Sequence, residues 1–71
     1  MSVQWKVDWK YTGDESRFYG KSGHETVEAQ SKEGAETTVR SIASKELFGS
    51  TRQQFAFEAE AQEVVPTFLL H

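Results

Sequence analysis

Apolar and polar residues alternate from Val3 to Tyr11, with Val3, Trp5, Val7, Trp9 and Tyr11 set against Gln4, Lys6, Asp8 and Lys10. A period of two marks a strand with one buried face; a helix would scatter the same residues around its cylinder. The pattern predicts a first strand over 2–11. Residues 12–23, TGDESRFYGKSG, are rich in Gly, Asp and Ser and predict a loop. Phe18 and Tyr19 interrupt its polarity where the return strand can begin, and Gly20 and Gly23 suit a bulge or second turn. A second strand follows over 24–30, with Val27 and Ala29 on one side and Thr26, Glu28 and Gln30 on the other.

Beyond Ser31 the period changes. Ala35, Val39, Ile42, Ala43 and Leu47 recur at helical spacing and predict an apolar stripe on a helix over 32–48, with Glu36, Arg40, Ser44 and Lys45 lying largely away from it. Ser31 is placed to cap its first turn by accepting the amide of Glu33 or Gly34. Glu33 complements the helix dipole, and Gly49 suits a left-handed C-terminal stop. Alternation then returns over 53–64, where Phe55, Phe57, Ala59 and Ala61 oppose Ala56, Glu58, Glu60 and Gln62. The phase shifts at Val64 and Val65, and Pro66 ends regular pairing. An apolar tail, 65–71, closes the sequence.

Two strands, a helix and a third strand predict an α+β fold, β-β-α-β. One helix packs on one face of a three-stranded antiparallel-type sheet of order 2-1-3. The aromatic first strand is expected in the centre, with Lys6 and Lys10 near Glu58 and Glu60 on the outer face. The expected inner face holds Trp5, Val7, Trp9, Val27, Phe55 and Phe57 under Val39, Ile42 and Leu47.

With 71 residues and no cysteine, a single domain must rely on packing alone, and two Trp, two Tyr and five Phe supply the means. A net charge of −3 weighs against generic nucleic-acid binding, which depends on Lys and Arg. The start, MSVQWKVDW, lacks a basic region followed by an apolar one, so no signal peptide is expected, and no run suits a membrane span.

The candidate chemistry is sparse. Trp5, Trp9 and Tyr11 form a stacking platform for bases if exposed and a core if buried, and the mixed charges beside them favour core. His24 and His71 have no partner at metal-site spacing. Ser22, His24 and Asp14 share one region without an oriented base or oxyanion hole, so no enzyme, metal or cofactor is expected. Glu25, Glu28, Glu58, Glu60 and Glu63 are an acidic strip for a basic partner or a solvated sheet face. Val64, Val65, Phe68, Leu69 and Leu70 either close the core or form an interface, including one between two copies.

The junction TVEAQSKEGAE resembles small phage-encoded host-takeover proteins, and EAQS with RSIASKELFGST is similar to a helix of small type I anti-CRISPR proteins. The strand–helix–strand layout is also comparable to that of a phage inhibitor of bacterial RNA polymerase. Such proteins cover a functional surface on a large host complex without catalysis. The same region, with FGST after the helix, also resembles archaeal ribosomal protein LX, which binds ribosomal RNA through basic residues. Here only Arg52 follows the Gly stop and the third strand is acidic.

Together these features imply a cytoplasmic, non-enzymatic inhibitor or adaptor that binds a host protein complex. Its expected contacts are Glu28, Glu58, Glu60, Glu63, Phe68, Leu69 and Leu70. The alternatives are a ribosomal-type nucleic-acid module using Arg17, Lys21, Arg40, Lys45 and Arg52, or a homo-oligomer joined through strand edges or the tail.

Overall fold

A computed structural model describes residues 3–64. Its elements are β1 (Val3–Tyr11), a 3-10 turn at Ser16–Phe18, β2 (Ser22–Ala29), α1 (Lys32–Phe48), a 3-10 segment at Thr51–Ala56 and β3 (Phe57–Glu63). The sheet order is β2-β1-β3, with β1 antiparallel to both neighbours. This is the expected α+β layout with the aromatic strand in the centre.

α1 begins and ends where its capping residues place it. The Ser31 hydroxyl accepts the amide of Gly34 at 3.1 Å, and Glu33 lies in the first turn, next to the positive end of the dipole. Gly49 adopts φ 74° and donates its amide to Lys45 O at 2.8 Å, a left-handed stop that an L side chain would strain. The helix packs on the β1 and β3 side through small residues. Val7, Ala35, Val39 and Ala43 are fully buried, and Ala61 nearly so. Small side chains allow close approach, and the aromatic rings fill the remaining space: Trp9, Tyr11 and Phe57 are all buried.

Of the stacking-platform candidates, Trp9 and Tyr11 are thus core, and the half-buried Trp5 packs against it. Trp9 meets Phe57 edge-on at 5.6 Å, and Tyr11 meets Phe57 at 5.4 Å. Two of the polar tips are bonded. Trp5 Nε1 donates to Ala29 O at 3.1 Å, and Tyr11 Oη accepts the amide of Glu15 at 2.8 Å. Two residues outside the expected core extend it. Phe18, in the loop, and Phe48, at the end of α1, meet at 4.7 Å and both pack against Tyr11.

Three expectations fail. Phe55 is 88% exposed, because the 3-10 segment delays the start of β3 to Phe57 and removes Phe55 from the alternation. Ile42 is 38% exposed because it sits on the flank of the helix stripe that no described element covers. Ser44, expected outside, is fully buried. Its hydroxyl donates to Ser50 O and accepts the amide of Gln53 at 3.0 Å, fastening the 3-10 segment to the opposite flank of the helix. β2 also starts earlier than expected, at Ser22. The tail 65–71 lies outside the described residues.

Candidate docking surface

The register determines which side chains share the face away from α1. Lys10 pairs with Ser22 and Glu58, Asp8 with His24 and Glu60, and Lys6 with Thr26 and Gln62. Gln4 pairs with Glu28, and its carbonyl accepts the amide of Val64 at 2.9 Å. Directly opposed residues project to one side, so these form four rows across the sheet. Every one of these residues is exposed, and none is aromatic. The sheet therefore has one packed face and one wet face, as antiparallel sheets allow.

Charge is unevenly distributed over the wet face. Lys10 Nζ lies 3.3 Å from Glu58, and Lys32 Nζ, from the start of α1, lies 3.4 Å from Glu60. Both pairs are well exposed, so each contributes at most ~1 kcal/mol. Asp8 faces Glu60 across the β1–β3 ladder, which places two carboxylates side by side with His24 on the other flank of Asp8. Lys6 has Thr26 and Gln62 as its cross-strand neighbours, so the expected pairing of Lys6 with an acidic row is not found; only the Lys10 half of that expectation holds. Among the described residues no group of three His, Asp or Glu side chains is arranged to hold a metal ion.

The two sheet edges differ. Thr12 donates its amide to Ala56 O at 2.8 Å and Val64 donates to Gln4 O, so even-numbered residues of β3 bond to β1 and odd-numbered ones turn their amides outward. One of those outward amides, that of Ala61, is accepted by Glu36 Oε2 at 3.0 Å. Beside it, Arg40, Trp9, Phe57 and Ala59 border a groove of about 510 Å³. On the other side, the Tyr11 amide donates to Lys21 O at 2.9 Å, so the odd-numbered residues of β2 bond to β1. The amides and carbonyls of His24, Thr26 and Glu28 point away from the sheet. No described element pairs with them.

At the end of the molecule holding the 3-10 elements, Phe55 and the 63%-exposed Tyr19 stand in solvent. Phe55, Asp14, Glu15 and Gln53 border a groove of about 370 Å³, and Tyr19 donates its hydroxyl to Asp14 O at 3.2 Å.

Of the sequence-predicted contacts, the structure brings Glu28, Glu58 and Glu60 onto the wet face. Glu63 and Glu25 do not join them. Each is paired with an inward residue, Trp5 and Val7 respectively, and so lies on the helix side. Period-two parity in β3, counted from Phe57, would have separated Glu63 from Glu58 and Glu60. Phe68, Leu69, Leu70 and His71 lie outside the described residues. Ser22 and His24 are flanked by Lys10 and Asp8 on the wet face, whereas Asp14 sits in the loop. Of the basic set, Arg17 lies 3.7 Å from Glu15 with its guanidinium over Phe18. Arg40 donates to the Thr37 hydroxyl at 3.2 Å. No helix among the described residues is long and apolar enough to cross a membrane. Comparison of the chain with known protein families, with curated proteins and with solved structures finds no match.

Proposed function

We propose that the chain is a non-enzymatic protein-binding module whose wet sheet face docks on a basic surface of a larger complex, acting as an inhibitor by occupying that surface. The observation that supports this reading is a sheet face that no described element covers. It is an exposed grid on which Asp8, Glu28, Glu58 and Glu60 outnumber Lys6, Lys10 and Lys32, the last reaching Glu60 from α1. A preformed sheet holds these charges at fixed spacings, which favours steered, oriented association with a complementary partner. The resemblance of the strand–helix junction to phage-encoded inhibitors makes a bacterial host complex the partner of choice, and the host cytoplasm the place of action.

The test is affinity capture from bacterial lysate with the wild-type chain and with a charge-reversed face, Asp8→Lys/Glu58→Lys/Glu60→Lys. All three side chains are exposed, so the variant is expected to fold. The reading requires that proteins retained by the wild type are lost from the variant. Identical capture by both would refute it. Salt-sensitive retention of RNA by the wild type would instead favour the ribosomal-type reading.

A further inference from the structure

We propose that the open edge of β2 is a self-association surface. Two copies pair β2 with β2 in antiparallel fashion, with Thr26 on the two-fold axis, and so join two three-stranded sheets into one. This does not depend on what the wet face binds.

The edge is ready for pairing. β2 runs over Ser22–Ala29 without a proline, and only its odd-numbered backbone groups are occupied by β1. Edge strands normally carry a device against such pairing: a proline, a bulge, a covering element or charged side chains, and of these β2 carries only charge, at Glu25 and Glu28. β3 has such a device in Glu36, which accepts the outward amide of Ala61. Nothing described covers β2 in this way.

The register follows from the side chains. In an antiparallel pair made by a two-fold axis, centring on Thr26 sets His24 opposite Glu28 of the second copy on the wet face, and Glu28 opposite His24. On the helix side the same centring sets Glu25 opposite Val27 and Gly23 opposite Ala29. No like charges meet. Centring on Glu25 or on Glu28 would place that carboxylate against its own copy. Centring on Val27 or His24 would lose the His24–Glu28 pairs. The Thr26 centring alone satisfies both constraints. It also makes the two wet faces continuous, doubling the acidic grid.

The test is sedimentation of the purified full chain from about 1 µM to about 1 mM, a range suited to an interface of modest size. The wild type should show a monomer–dimer equilibrium. Thr26→Pro should be monomeric throughout with its fold intact, since the Thr26 amide faces away from β1 and proline is tolerated at such edge positions. Glu28→Lys should weaken the dimer at least tenfold, and His24→Glu/Glu28→Lys should restore it by exchanging the two partners. A wild type that is monomeric at every concentration overturns the proposal, as does a dimer unaffected by a folded Thr26→Pro. Should that variant fail to fold, the charge exchange decides, and a double variant as weak as Glu28→Lys alone overturns it.

Discussion

Glu36, on the second turn of α1, accepts the outward amide of Ala61 at 3.0 Å and so closes part of the β3 edge. A carboxylate on a backbone amide is a charge-assisted bond, stronger than a neutral one. Glu36→Ala is expected to cost about 1–2 kcal/mol in urea denaturation, with Glu36→Gln, which keeps an acceptor, costing less. The alanine variant should also associate more readily, because a further stretch of edge is then free to pair.

Ser44 is the buried polar group on which the 3-10 segment depends. Replacing it with alanine leaves both Ser50 O and the Gln53 amide without their partner. Thermal or chemical denaturation should show a loss of about 1–3 kcal/mol. A substitution as harmless as one on the wet face would contradict this account of the joint.

The aromatic residues divide sharply by position. Trp9→Ala or Phe57→Ala removes a buried ring and should cost ~3–5 kcal/mol, enough to unfold most of a domain this small. Phe55→Ala, two residues from Phe57, should leave the melting temperature nearly unchanged, since Phe55 is 88% exposed. Equal losses for Phe55 and Phe57 would place both in the core and refute the start of β3 at Phe57.

That contrast shows what the amino-acid pattern could and could not reveal. Period two in β1 and the Ser31-to-Gly49 bracket around α1 are local signals, and they led directly to the order of elements and the central strand. The position of Phe55 depends instead on Ser44, eleven residues earlier, whose hydroxyl holds the chain in a 3-10 turn through Ser50 and Gln53. Ile42 and Ser44 lie on opposite flanks of one helical stripe, and only tertiary packing decides which flank is covered. The core roles of Phe18 and Phe48 likewise arise from a contact between a loop and a helix end. For the candidate site, alternation in β1 and β3 was enough to place Lys10, Glu58 and Glu60 on one face. The pairing of Asp8 with Glu60, rather than of Lys6 with an acidic residue, needed the register itself.

Gly23 is the one strand position where a methyl group has no room. It faces Trp9 across the ladder, and a Cβ there would stand 2.9 Å from the indole ring. Gly23→Ala should therefore displace Trp9 and cost about 1–3 kcal/mol, visible as a shift in tryptophan emission together with a lower melting temperature. An unaltered emission spectrum would show that the indole does not cover Gly23.

The sheet has one packed face, one edge partly closed by Glu36 at Ala61, and one edge that no described element pairs. Residue-resolved amide hydrogen exchange on dilute protein tests this most directly. The expected result is slow exchange at Gly23, Glu25 and Val27, fast exchange at His24, Thr26 and Glu28, and protection at Ala61 that is lost in Glu36→Ala. Uniform exchange along β2, or an Ala61 amide as fast in the wild type as in that variant, would contradict it.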